Sequence, residues 1–401
     1  MNILNENRKV QILMGLYFPL NCLALSYTIF YLGAFGIQDS TIGIAVAIAA
    51  VIGFVLQGML GRFIDNHLKW YWRNVLIILG IFELIVSSLI LACQLYNADV
   101  SVMVFLYCLF IITTIAMAPL VNTSSFYYTA HGRYVNFGVA RGIGSLSFAL
   151  ISYIIGFYAA QFGIIFIPAC GIVFSILFLL SVIVLPDLGP TNINKNDEKF
   201  SMGLIEFIRR NKSFLIMALG ICLVFIFHNM INQYLIRMVE NVGGGSDALG
   251  LALSIAAICE LPVLFLYDRF VKRYHVDTRF LIFIGCLFFA IRGVLYIFAT
   301  DMIVIFAIQT LQSLSFALLV VSKTHFADEG VGEEDKATGQ AIMSMTEFIG
   351  MVFGSAVGGL TISFGGVYMM YISGISFAAL GSLIVLVIYL KNYRNSSKNI
   401  S

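Results

Sequence analysis

PDLGPTNINKNDEKFSMGLIEFIRRNK, residues 186–212, is the longest polar stretch in a chain that is apolar almost throughout. Hydrophobic residues make up 60% of the 401 positions and charged residues 11%, with a mean hydropathy of +0.95. A soluble domain carries about 25% charged residues, so a water-soluble globule is excluded and the chain reads as a polytopic membrane protein. A helix needs about 20 mostly apolar residues to cross a bilayer. Six such runs precede the polar stretch, near 11–35, 40–62, 74–96, 101–129, 137–161 and 163–186. Six follow it, near 213–238, 247–267, 280–299, 301–325, 337–363 and 366–390. The even split predicts an all-α membrane fold of twelve transmembrane helices in two pseudo-symmetric six-helix bundles. The bundles are 1–186 and 213–401, the latter with a short cytoplasmic tail, joined by a cytoplasmic central loop, 187–212.

Lys and Arg accumulate on the cytoplasmic side of a membrane. With the N-terminus inside, nineteen of the 23 basic residues fall in inner segments, and only Arg237 falls in an outer loop. Arg141, Arg292 and Lys323 lie within spans. Both termini and the central loop are therefore expected in the cytoplasm, with the first apolar run kept as a spanning helix in the cell membrane. The seven cysteines form no CxxC or Cys/His cluster and read as small buried residues. No metal site, cofactor, nucleotide fingerprint or hydrolase motif is expected, so the chain is read as a non-enzyme with no nucleic-acid partner.

A charge inside a span usually faces a cavity, a partner or a pathway. Glu83, Arg141, His228, Glu260, Arg292 and Glu347 lie well inside. Glu260 and Arg292 fall at similar depths on consecutive, oppositely directed helices. They read either as a structural ion pair or as a protonatable acid gated by a guanidinium, the arrangement proton coupling needs. In FIFHNMINQYLI, residues 225–236, the side chains of His228, Asn229, Asn232 and Gln233 make one polar stripe. Gln309, Gln312 and Ser313 make another. Each stripe lines a cavity or supplies interhelical hydrogen bonds. Lys323, near a helix end, is expected to snorkel to the headgroups, and Glu83 to be protonated or functional. Glycines 138 and 142, and 350, 354 and 358, recur every four residues, as in close helix packing.

GRFID, residues 61–65, follows the second span, and YDRFVKR, residues 267–273, follows the eighth, so Asp65 and Asp268 occupy corresponding places. With twelve spans and a central loop, this resembles the major facilitator superfamily, whose loop motif is Gly-x-x-x-Asp followed by basic residues. Here Lys69 keeps a charge and Asn66 replaces the usual Arg. Within it, the chain is most similar to the branch of lactose permease, the nucleoside–proton symporters and the phenylpropionate permeases. NFGVARGIGSLSFAL (136–150), CELPVLFLYDRFVKR (259–273) and FFAIRGVLYIF (288–298) carry that resemblance. It implies a substrate-contacting Arg141, an acid at Glu260 and a helix-9 arginine at Arg292. The family's helix-4 acid would fall near Asn122, and its helix-10 His-x-x-Glu site on Gln312 and Ser315. Its acid–lysine pair between helices 7 and 11 would become His228 and Glu347 with polarity exchanged.

The expectation is a secondary transporter, a proton-coupled symporter of a small polar solute, a nucleoside or sugar, working by alternating access as a monomer in the bilayer. Asn122, Arg141, His228, Asn229, Asn232, Gln233, Glu260 and Gln312 would bind solute. Glu260, Arg292 and Glu347 would couple protons. Gly61, Asp65, Asp268 and Arg269 would gate the conformational change. Alternatives are an aromatic-acid symporter, a proton-driven exporter and a non-transporting solute sensor.

Overall fold

A computed structural model describes residues 3–66, 72–189, 204–332 and 335–398. Ten helices of spanning length are α1 Glu6–Ser26, α2 Asp39–Ile64, α3 Trp72–Leu95, α4 Val100–Ala130, α5 Phe137–Phe162, α6 Phe166–Val184, α7 Lys212–Gln233, α8 Ser246–Tyr274, α9 Thr278–Ile297 and α10 Met302–Glu329. An eleventh apolar run, Thr338–Lys391, has 54 residues. At 1.5 Å per residue it is about twice as long as a bilayer requires. It breaks at Gly365 and Gly366, whose φ values are −149° and +70°. The positive φ is one that glycine adopts without a steric cost. The two arms, 338–364 and 367–391, are α11 and α12. Twelve spans result, and no strand occurs among the described residues.

The helices are amphipathic in the sense a bilayer demands. On α3, Ile78, Ile81, Phe82, Ile85 and Leu89 are exposed. They recur at helical spacing and form one apolar stripe. Glu83 and Ser87, both polar, are buried on the opposite face. Apolar side chains face outward because lipid, not water, is the solvent.

Spatial contacts gather the chain into two compact units, Met1–Ile193 with Gln233–Ile258, and Asn194–Asn232 with Cys259–Ser401. In the first unit, α1 packs on α5 and α6, α2 on α4, and α3 on α4 and α6. Buried tyrosines tie these helices by donating to carbonyls of their neighbours: Tyr17 to Thr114 O at 3.0 Å, Tyr27 to Ser152 O at 2.7 Å and Tyr107 to Leu23 O at 2.7 Å. Leu23 lies in a π-turn, Cys22–Ser26, that follows Pro19. A proline removes an intrahelical donor and disturbs the turn around it. Such interhelical bonds contribute about 0.6 kcal/mol each on average.

In the second unit α7 is central. Gly350 and Gly354 of α11 lie against it so closely that a Cβ on Gly354 would stand 2.7 Å from Ile226 O and from Asn229 Cβ. Helix α9 packs on α10 and on the α11–α12 segment. A second π-turn, Ser313–Ala317, interrupts α10.

Candidate functional site

Arg292 is 1% exposed, in the middle of an apolar helix. Its fixed charge needs several acceptors at once, and α10 supplies most of them. The guanidinium donates from Nη1 to Gln312 Oε1 and, at 2.9 Å, to Ser315 Oγ; from Nη2 it donates to Gln309 Oε1 at 3.0 Å and to Tyr296 OH at 3.4 Å. On an ideal α-helix, Gln309 and Ser315 would stand about 120° apart around the axis. The π-turn shifts that register, so both reach one guanidinium. π-turns of this kind are frequent at functional sites. Tyr296 escaped the sequence reading, although it lies one turn beyond Arg292 on the same helix and the i, i+4 spacing carried the signal.

Glu260 is half-buried on α8, two residues before Pro262. The expected encounter of Glu260 with Arg292 runs through a third residue. Gln312 accepts from Arg292 and donates from Nε2 to Glu260 Oε1 at 3.1 Å. Its amide is thereby oriented, oxygen to the cation and nitrogen to the acid. Arg292 Nε and Gln309 Nε2 are buried with no protein acceptor, so the cluster has donor capacity that its own side chains do not use.

The expected His228–Glu347 pair is not formed. Glu347 instead takes Lys323 Nζ at 2.7 Å. Lys323 also departs from expectation: it does not snorkel, being 4% exposed, and it donates to Met343 O at 2.8 Å with its ammonium 5.1 Å from the Phe225 ring centroid. The α10–α11 packing encloses the stem and offers the ammonium a carboxylate and a carbonyl, which compensate better than a distant headgroup would. His228 is buried, stacked on Phe316 with centroids 4.4 Å apart and planes at 15°. Asn232 Nδ2 lies 3.0 Å from its Nε2.

The remaining candidates are scattered. Asn229 donates to Phe225 O at 2.9 Å, closing its own turn. Gln233 is buried, at the start of the segment that packs with the first unit. In the first unit, Asn122 is exposed and Arg141 half-buried. Arg141 donates to Ser145 Oγ at 2.8 Å, and its guanidinium carbon stands 4.4 Å above the Phe18 ring. Gly61 is half-buried in α2; the side chain of Asp65, and Lys69, fall outside the described residues. Asp268 is exposed and meets His325 Nε2 at 3.1 Å, and Arg269 is exposed beside it.

A scaffold of twelve spans with a buried polar cluster suits a carrier. Similarity to known proteins agrees. The nucleoside transporter NupG shares the fold at a TM-score of 0.75 and 17% identity, covering 97% of this chain and 99% of that one. A mutant of NupG gives 0.79 at 16% identity over the same shares. A bacterial homologue of the iron transporter ferroportin, in an inward-facing state, gives 0.71 at 11% identity, covering 97% and 99%. No curated protein matches the chain by sequence. The MFS_1 like family matches residues 9–373, nearly the whole length, and the chain belongs to that family: it is a multi-pass transporter of the major facilitator fold and not an enzyme.

Proposed function

We propose that the protein is a proton-coupled symporter of a small polar organic solute of the nucleoside or sugar class, located in the cell membrane with both termini in the cytoplasm. The halves 1–186 and 213–401 are read as its two repeats. The observation that carries the coupling is Gln312 bridging Arg292 and Glu260. A charged Glu260 accepts from the oriented amide and is compensated at one remove by the guanidinium. A proton on Glu260 cancels that charge and weakens its hold on Gln312, since hydrogen bonds to ionised groups are about twice as strong as neutral ones. The cluster thus has two arrangements that a proton distinguishes. The solute class rests on polar side chains suited to hydroxyls and base edges, the neutral amides of Asn229 and Asn232 among them. The nucleoside transport stated for NupG favours the same class.

Uptake of labelled nucleosides and sugars into proteoliposomes under an imposed pH gradient tests the reading. Wild-type protein should accumulate solute uphill. Glu260→Gln should lose uphill accumulation while retaining exchange down a solute gradient. Undiminished uphill uptake by the variant removes Glu260 from coupling. A second reading, an aromatic-acid symporter, is favoured by Arg141 standing over the Phe18 ring, a cation beside an aromatic surface. Saturable uptake of an aromatic acid without nucleoside uptake would select it.

A further inference from the structure

Between α7 and α8 the chain breaks at Tyr234, forms a short helix, Leu235–Asn241, and turns through Gly243 into α8. By sequence this hairpin is part of the second half, yet Gln233–Ile258 packs into the first unit. Three contacts hold it there. Arg237 grips Asp39, the first residue of α2, from Nε at 3.0 Å to both carboxylate oxygens and from Nη2 at 2.9 Å. The same guanidinium donates from Nη1 to Glu240 Oε2 at 2.8 Å. It fills the space beside Gly33, where a Cβ would stand 2.5 Å from Nη2. Further along, Ser246 Oγ donates to Gly156 O at 3.1 Å. Gly250 then meets α5 backbone to backbone: a Cβ there would stand 2.9 Å from Gly156 Cα and 3.0 Å from Tyr27 OH.

The energetic weight is uneven. Glycine-to-backbone contact is dispersion and has no switch. The guanidinium is different. It is 23% exposed, and the Asp39 carboxylate it grips is 11% exposed. A bidentate charged pair so far out of water is strong while closed and costly when one partner is removed. Arg237 is also the only Lys or Arg that the basic-residue count assigns to the outer loops, so no other outer-loop basic residue substitutes for it.

We propose that Arg237, with Asp39 and Glu240, is the latch that fastens the α7–α8 hairpin onto α2, α5 and the segment that joins α1 to α2, and that the latch opens once in each transport cycle. Its opening presupposes alternating access, and so rests on the proposed transport function. Asp39 supplies the holding charge. Glu240, whose side chain is 43% exposed, competes for the guanidinium from within the hairpin's own helix and gives Arg237 a partner when Asp39 departs.

The test uses the full chain in proteoliposomes, with the native cysteines replaced by serine or alanine. Ser246→Cys places a thiol in the seam, where the serine is 5% exposed. A membrane-impermeant maleimide added outside should label it slowly. With Arg237→Gln added, labelling should accelerate about tenfold, the factor corresponding to one charge-assisted hydrogen bond. Asp39→Asn should do the same. The reversed pair, Asp39→Arg with Arg237→Asp, made together with Glu240→Gln so that two carboxylates do not face each other, should bring the rate back near the starting value, which a merely packing role for Arg237 would not do. Thermal stability of each variant in detergent shows that the rates belong to folded protein; if Arg237→Gln does not fold, Asp39→Asn and the reversed pair decide alone. Unchanged labelling in folded single variants, or a reversed pair as open as the singles, overturns the latch. Accelerated labelling and restoration in a protein that accumulates no solute under any pH gradient leaves the latch standing and overturns the symport reading instead.

Discussion

Two buried charges show how much a partner decides. Glu83 is fully buried, and Thr114 donates to its Oε1 at 2.6 Å while Oε2 has no protein partner. An isolated carboxylate in an apolar interior is costly, and the usual resolution is neutrality. Glu83→Gln keeps the acceptor for Thr114 and should leave the midpoint of thermal denaturation in detergent unchanged or slightly higher. Glu83→Ala removes the acceptor, leaves a void and should cost about 2–4 kcal/mol. Equal damage from both would mean that Glu83 needs its charge. Lys323 and Glu347 behave differently because their exposures differ, 4% against 43% for the side chains. Without Glu347, a buried ammonium loses its carboxylate; without Lys323, a half-exposed carboxylate is left that water can reach. Glu347→Gln should therefore destabilise by about 3 kcal/mol, Lys323→Met by clearly less, and the double variant by less than Glu347→Gln alone. The reverse order of the two single variants would show that Glu347 is the residue in need of compensation. In the sequence, each of these residues is visible as a charge in an apolar run, but its partner is not. A partner lies on another helix, at a register that one helix's periodicity does not encode. That is why the resemblance to a family pair between helices 7 and 11 matches Glu347 to His228 and misses Lys323.

At the scale of helices, position is legible in the sequence and irregularity is not. A run of apolar residues must be helical to satisfy its backbone in lipid, so the twelve spans follow from hydropathy alone. The π-turn of α1 has a local cause upstream in Pro19, but that of α10 and the break at Tyr234 contain neither Pro nor Gly. Nothing in a sliding average marks them, yet the α10 turn is what aims Gln309, Gln312 and Ser315 at Arg292. The glycine pattern is more informative, since close approach demands it. Gly354→Ala would push a methyl group against the Ile226 carbonyl of α7, and a carbonyl on a packed helix has little room to retreat. Its expected cost is about 1–3 kcal/mol. Gly58→Ala on α2 meets nothing within 4 Å and should stabilise by up to about 1 kcal/mol through helix propensity. Thermal denaturation in detergent checks both, and a benign Gly354→Ala would show that the α7–α11 contact is loose enough to yield.

For the whole molecule, the composition determines the solvent and the solvent determines the class of fold. The compact units do not follow from it, because hydropathy divides the chain at its most polar stretch, whereas space divides it where the fewest contacts cross. Arg237, the one basic residue between Lys212 and Arg269, gives no sign in the sequence of the Asp39 carboxylate that it grips 198 positions away. Orientation can be measured directly, and span parity makes the measurement sharp. Tyr96 follows α3 and is 85% exposed; Tyr274 ends α8 and is 58% exposed. Five spans, α4 to α8, separate them, an odd number, so the two positions must lie on opposite sides of the membrane. Lys272, Arg273 and Arg279 lie near Tyr274 and no basic residue lies near Tyr96, so Tyr274 is expected inside. In a cysteine-free background in intact cells, Tyr96→Cys should react with an impermeant maleimide, and Tyr274→Cys should react only after the membrane is opened. The opposite pattern would invert the orientation while preserving the twelve spans. Labelling of both from the same side would contradict the span count between them, and with it the assignment of α7 and α8 as separate crossings.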